Sequence, residues 1–364
     1  MRAMEPARAE RRTTWDSATP PEAGFAPDLE ERFEVARQAG VLANLHGTVA
    51  ARDGRVFFER YLAGTDAARA RPLGVVRFGP DTLHDLRSVT KSVVGLLYGI
   101  ALAAGRVPAP EAILVEQFPE YLDLASDPTR RHLTVGHALT MTLGTEWDEL
   151  SIPYSDPRNS EIAMDRAADR CRYVLERPVV GSPGERWTYN GGATALLARL
   201  IAKGTGHPLQ DYTRAVLFEP LGITCTEWAC GSDGEAIAAS GLRMTPRDLL
   251  KIGVAALNAG RWNGRQVVPA DWLAIAFTPA VSMPDGRGYG YHWYVGAVPM
   301  DDGAGSTKWE RMVSAVGNGG QCLFLLPGLD LAVAVTAGNY DMADGWRPAM
   351  VLLRDVLLPA FRPG

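Results

Sequence analysis

The chain has 364 residues, 46% hydrophobic and 22% charged, enough apolar material for a large core, and its length suits one big domain or two interleaved ones. A net charge of −5 without a run of five or more like charges excludes an electrostatic nucleic-acid footprint and fits a small neutral or cationic ligand better than a polyanion. The longest uncharged apolar stretch, Ser92 to Gly105, is too short to span a bilayer, and the first 25 residues lack the apolar centre of a signal peptide, so the expectation is a cytoplasmic protein with no membrane partner.

Taken in order, Leu29 to Arg37 has apolar residues near helical spacing and predicts a helix. Gly47 to Arg52 and Val56 to Tyr61 are strand-like and separated by Asp53-Gly54, the strongest hairpin signal in the chain. Ser88 to Ala104 predicts a helix so apolar that it must be buried. From about Arg106 to Ser240 the pattern turns helix-rich, with segments at Val135 to Met141, Glu161 to Leu175 and Ala193 to Lys203 broken by Pro and Gly loops. Strand signals return at Gly288 to Val295, Gln321 to Leu326 and Leu331 to Ala337, and Trp346 to Phe361 predicts a closing helix. The fold class expected is α+β: an antiparallel sheet built from both ends of the chain (residues 1–105 with 241–364) and flanked by helices, with an all-helical region (106–240) inserted between. The cleft would lie where the two regions meet.

Only four of the basic residues are lysines, against 33 arginines, and one of them, Lys91, follows Ser88 by three. That spacing is one helical turn and puts amine and hydroxyl on the same face. A serine becomes a nucleophile only when a base takes its proton, and a lysine can be that base if burial lowers its pKa toward neutrality, which arginine cannot match. By chance, four lysines and 13 serines give about 0.14 such pairs, so the motif alone is suggestive. A second element, Pro183-Gly-Glu-Arg-Trp-Thr-Tyr189-Asn190-Gly-Gly, places a phenol before a helix-like run, where it could relay a proton or simply pack as a core tyrosine. A third, Ser314-Ala-Val-Gly-Asn-Gly-Gly-Gln321, leads into an apolar strand. Its glycines permit close approach by a ligand, and a backbone N–H there could complete an oxyanion hole opposite that of Ser88.

No phosphate loop, G-x-S-x-G or H-E-x-x-H is present, and the six histidines (His46, His84, His132, His137, His207, His292) form no ligand-like cluster, so neither a metal nor a cofactor is expected. The four cysteines (Cys171, Cys225, Cys230, Cys322) read as buried free thiols. Tyr154, Trp187, Tyr291 and Trp293 could wall a pocket, although large aromatics more often pack in the core.

The order S-x-x-K, then Tyr after P-G-x-x-W, then a glycine-rich strand resembles the class C β-lactamase and penicillin-binding-protein superfamily. Leu133 to Gly144, Leu217 to Ile223 and Gly241 to Gly253 are similar to its connecting segments, so the resemblance runs over most of the chain from about residue 45. It is nearest the esterase and amidase branch that includes the aminohexanoate-dimer hydrolases. The resemblance implies a β-lactamase/transpeptidase-like fold and an acyl-enzyme hydrolase of small esters or amides. Ser88 would be its nucleophile, Lys91 its base and Tyr189 its proton shuttle, with oxyanion donors at Ser88 and near Gly317 and Asn318. Two positions depart from the pattern. The usual Y-x-N has Gly191 in its last place and Asn190 one residue early, and the usual K-T-G or H-x-G aligns with Ala315-Val316-Gly317, removing the cation that holds a β-lactam or peptide carboxylate. Weak β-lactamase activity is therefore expected. A β-lactamase, a D-alanyl-D-alanine carboxypeptidase and a non-catalytic ligand-binding relative remain the alternatives, and the sequence leaves a homodimer open.

Overall fold

The computed structural model describes residues 16–69, 71–301 and 306–362. Residues 1–15, on which much of the reading of the chain's opening rests, lie outside the described residues. Helix α1 (Leu29–Gln38) buries Leu29 and Phe33, and the chain then turns into the hairpin β1 (Leu45–Arg52) and β2 (Arg55–Tyr61). Asp53 and Gly54 join them with φ of 52° and 76°, the left-handed pair that a two-residue hairpin needs. A second hairpin, β3 (Ala63–Ala68) and β4 (Arg71–Arg77), and the short β5 (His84–Asp85) lead into α2 (Val89–Ala103), almost wholly buried as its apolar run requires.

The middle of the chain holds α3 (Leu122–Ala125), α4 (Val135–Leu139), α5 (Ser160–Arg166), α6 (Arg170–Leu175), α7 (Gly191–Thr205) and α8 (Leu209–Thr213). The single helix expected over Glu161 to Leu175 is in fact two. Ala167 is extended, and the Asp169 carboxylate accepts the N–H of Arg172, so a new helix starts there. Next come β6 (Glu227–Trp228), β7 (Leu242–Met244), α9 (Pro246–Leu257), β8 (Arg261–Trp262), β9 (Arg265–Gln266) and α10 (Ala270–Ala276). Six strands follow: β10 (Val281–Ser282), β11 (Gly288–Tyr289), β12 (Tyr294–Asp301), β13 (Thr307–Gly317), β14 (Gln321–Leu326) and β15 (Leu331–Ala337). The strand expected from Gly288 to Val295 divides because Gly290 N–H bonds back to the Trp293 carbonyl at 2.9 Å, closing a turn. The chain ends on α11 (Arg347–Val351), which continues through a π-helical turn into α12 (Leu358–Ala360).

The main sheet is antiparallel throughout, in the order β10-β11-β12-β13-β14-β15-β1-β2, and the β1–β15 pairing joins the two ends of the chain. β14 and β15 are buried at every position, because helices cover both faces. On one face Phe324, Val333 and Val335 pack with Phe33, Leu352 and Val356; on the other Leu323, Leu325, Ala332 and Ala334 pack with Val93, Leu97 and Leu250. Each such fully buried Leu, Val or Phe contributes roughly 1.5–3 kcal/mol. Gly253 is what lets α9 sit so close: a Cβ there would lie 2.8 Å from Leu323. Among the cysteines only Cys322 is buried as expected, Cys171 being half-buried and Cys225 and Cys230 exposed. Among the described residues no helix is long and apolar enough to cross a membrane.

Candidate active site

Ser88 owes its position to the residue before it. Arg87 has φ 48°, a left-handed conformation that costs a non-glycine residue about 1–3 kcal/mol, and it turns the chain so that Ser88 starts α2. A serine at a helix start usually spends its hydroxyl on the helix's own N–H groups. Ser88 makes no such bond, and its Oγ instead accepts a hydrogen bond from Lys91 Nζ at 3.1 Å.

Lys91 is buried, but not in the way that the sequence led us to expect. Its Nζ also donates to the Ala239 carbonyl at 3.1 Å, stands 3.5 Å from Glu149 Oε1 and 3.7 Å from Glu161 Oε2, and lies 4.8 Å over the ring of Tyr189. Burial alone would depress this amine. Against burial, the charge of Glu161 is the largest of the influences that hold Lys91 above the ordinary lysine range. The expectation of a lysine lowered toward neutrality is therefore corrected: this amine stays an ammonium.

The two glutamates divide one proton. Glu149 Oε2 accepts the Trp147 indole N–H at 2.9 Å and the Gly191 backbone N–H at 2.6 Å, and Tyr154 Oη donates to Oε1 at 3.3 Å. Burial, reinforced by the charge of Glu161, pushes Glu149 well above the carboxylate range. Burial pushes Glu161 the same way, but Lys91 and hydrogen bonds from Glu149 and from Ser240 Oγ at 2.9 Å hold it below that range. The arrangement is an ammonium, one carboxylate and one carboxylic acid, with no net charge.

Tyr189 reaches this cluster from the loop before α7, where the Thr188 N–H is anchored on the Met141 carbonyl at 2.8 Å. Burial raises its phenol; Lys91 and a hydrogen bond with Ser88 pull it partly back, leaving it neutral. Asn190, expected on the substrate side, is not there. It is 2% exposed and its Oδ1 caps α7 by accepting the Ala193 N–H at 3.0 Å. Gly191, the departure from Y-x-N, has a physical reason: a Cβ there would lie 3.1 Å from both Glu149 Oε2 and Glu161 Oε2. The carboxyl pair fills the space of the usual asparagine.

Gly317, the last residue of β13, and Asn318 after it line the same cleft as Ser88 and Tyr189, a cavity of about 500 Å³. The close approach expected of a ligand at Gly317 is made by the chain itself, because a Cβ there would run into the Leu86 carbonyl and lie 3.1 Å from Arg87. Asn318 Nδ2 donates to Asp341 Oδ1 at 2.7 Å, and Asn318 Oδ1 accepts the Asp341 N–H at 2.8 Å. Among the described residues, the backbone N–H groups of Ser88 and Asn318 donate to no protein acceptor. An adjoining cavity of about 210 Å³ holds Asp165, pushed up to about 6 by burial and the charge of Glu161. Of the four candidate aromatics, Tyr154 lines the cleft, Trp187 and Trp293 are buried, and Tyr291 packs against the core.

Glu149, Glu161 and Ser240 were not found from the sequence, since no local motif links them to Lys91. The histidines need a second correction: folding brings His46, Asp66 and His84 together, all buried, with their ligand atoms within 4.8 Å of one another.

This architecture and this cleft define the class: the molecule has the fold of the β-lactamase-type hydrolases. A family model described as Beta-lactamase matches residues 38–351, and the chain belongs to that family. It is 27% identical over 349 residues to the 6-aminohexanoate-dimer hydrolase of Paenarthrobacter ureafaciens, covering 87% of this chain and 79% of that protein. EstCE1, described as a hydrolase with promiscuous acyltransferase activity, superposes with a TM-score of 0.69 at 17% identity, over 90% of this chain and 98% of that one. A penicillin-binding-protein homologue from Caulobacter crescentus gives 0.65 at 18% identity, over 90% and 97%.

Proposed function

We propose that the protein is a serine hydrolase that cleaves small esters or amides through an acyl-enzyme on Ser88. The observation that carries this reading is the 3.1 Å hydrogen bond from Lys91 Nζ to Ser88 Oγ inside a cleft that Tyr189 also enters. Because Lys91 is an ammonium, it stabilises negative charge on Oγ and does not take its proton. Tyr189 is neutral and works as a relay. As Oγ bonds to the substrate carbonyl carbon, the serine proton passes to the phenol oxygen while the phenol's own proton passes to the leaving group, and the bond to that group breaks. The carbonyl oxygen takes up negative charge facing the N–H groups of Ser88 and Asn318. Water then attacks the acyl group, giving its proton to Tyr189 as Tyr189 returns one to Ser88.

The substrate class follows from the walls. Leu150, Met342 and Trp346 line the cleft, each more than half exposed, and offer an apolar mouth to a short acyl chain. In the third motif Ala315 takes the place of the carboxylate-binding cation, which favours simple esters and linear amides over β-lactams. The 6-aminohexanoate-dimer hydrolase relative fits a linear amide. Hydrolysis of p-nitrophenyl acetate and butyrate tests the reading: Ser88→Ala should lose at least about 10³-fold in kcat/KM. A Ser88→Ala protein as fast as wild type would remove the proposed nucleophile.

A further inference from the structure

Behind the cleft, the hydrogen bonds of the His46, Asp66 and His84 group leave a charge unaccounted for. Asn44 Oδ1 accepts the Thr65 N–H at 3.0 Å and Asn44 Nδ2 donates to the Thr65 carbonyl at 3.0 Å, which fixes the orientation of that amide. His46 Nε2 lies 3.0 Å from the same Oδ1, an acceptor, so Nε2 carries the ring proton. His84 Nδ1 lies 3.0 Å from the Asp85 carbonyl oxygen and is protonated for the same reason. In neutral rings the other two nitrogens, His46 Nδ1 and His84 Nε2, then hold lone pairs, and they lie 2.9 Å apart. Two lone pairs at that distance repel unless a cation lies between them. A counter-charge is in place: Asp66 Oδ1 is 3.6 Å from His84 Nε2 and accepts the Tyr340 hydroxyl at 2.9 Å.

We infer that His46 Nδ1, His84 Nε2 and the Asp66 carboxylate form a binding site for a divalent transition-metal ion of the zinc type. Metal–nitrogen bonds of about 2.0–2.1 Å put two nitrogens about 3.3 Å apart across a tetrahedral ion, so the rings need part by only a few tenths of an ångström. Each ligand is already held from behind, His46 by Asn44, His84 by the Asp85 carbonyl and Asp66 by Tyr340, the support that metal-binding imidazoles and carboxylates require. Glycines make the space, since a Cβ at Gly64 or Gly338 would lie 2.5 Å from His46 ring atoms. The ion ties β1, β3 and β5 to the segment carrying Tyr340 and Asp341, and Asp341 holds Asn318. It braces one wall of the cleft and takes no part in the proposed acyl transfer.

The test uses the full-length protein, stripped with a chelator and titrated with Zn²⁺ and, separately, Co²⁺. Cys225→Ser and Cys230→Ser are included so that the exposed thiols cannot compete. Metal content after desalting should approach one ion per chain in this background and in Ser88→Ala, and fall to near zero in Asp66→Asn and His84→Gln. Co²⁺ should give visible absorption bands without a thiolate charge-transfer band, and saturating Zn²⁺ should raise the unfolding midpoint by about 5 °C. The Co²⁺ spectrum and the midpoint are read on protein with both histidines intact, so the proposal is tested even where a ligand variant fails to fold. Retention of less than about 0.1 ion per chain, or equal retention in Asp66→Asn, overturns it, as does an NMR proton signal bridging the two rings in protein that takes up no metal.

Discussion

Two buried polar clusters flank the stretch from His84 to Lys91, and they balance charge in opposite ways. Around Lys91 the chain supplies every member itself: an ammonium, a carboxylate at 3.7 Å and a carboxylic acid at 3.5 Å. Around His46 the hydrogen bonds fix two ring protons and, in neutral rings, leave two lone pairs 2.9 Å apart, the place where we infer that an ion binds. The difference shows that burial does not decide the state of a titratable group on its own. Lys91 and His46 are both hidden from water, yet the first is held above its ordinary range and the second below it, because Lys91 has the Glu161 carboxylate at 3.7 Å whereas burial and the neighbouring His84 ring both act against a charge on His46.

The comparison breaks most visibly if its first member loses the cation. Lys91→Met should lower ester kcat/KM by more than about 10³-fold and, by leaving the buried Glu161 without its cation, cost about 3 kcal/mol in urea unfolding. Tyr189→Phe keeps the charges and removes only the relay, so a loss of about 10²–10³-fold in kcat is expected from steady-state kinetics. The two glutamates sharpen the contrast further. Glu149 holds the shared proton, so Glu149→Gln should change kcat/KM by less than about threefold, whereas Glu161→Gln removes the carboxylate that balances Lys91 and should cost about tenfold or more. Equal losses in the two would contradict the proton assignment.

Smaller effects should appear in pH dependence. An ammonium Lys91 gives no acid limb near neutrality, and any limb that Asp165 contributes near 6 should vanish in Asp165→Asn. Persistence of such a limb in that variant would return Lys91 to the role of base. Thermal midpoints carry the same signs. Lys91 has a folded pKa above its unfolded value near about 10.4, so its contribution is fully present below about pH 10 and is lost as pH rises through the folded value. Glu161 is depressed, so its contribution is present above about pH 4.3 and is lost as pH falls through the folded value. Subtracting Glu161→Gln midpoints from those of wild type should expose the acid window.

What the sequence made legible was local. Asp53-Gly54 announces its hairpin through left-handed backbone, and Ser88 and Lys91 announce themselves through one turn of a helix too apolar to be exposed. The β3–β4 hairpin was not legible because β4 is mostly exposed and shows no apolar alternation. β13 was not expected as a strand either, its first three residues being exposed and its later ones mostly buried, so that no apolar alternation runs along it. Within the candidate site, Glu149 and Glu161 come from a loop and a helix remote in sequence from Lys91, and only the folded chain shows why Gly191 replaces the usual asparagine. The His46–Asp66–His84 group is spread over β1, β3 and β5, with no spacing that resembles a ligand motif.

The central claim is that Ser88 is a live nucleophile, and a fluorophosphonate probe followed by intact-mass spectrometry tests it most directly. The account expects one adduct per chain at neutral pH, mapped to Ser88 by peptide sequencing and missing from Ser88→Ala. An unlabelled wild-type protein, or an adduct that survives in Ser88→Ala, would contradict it.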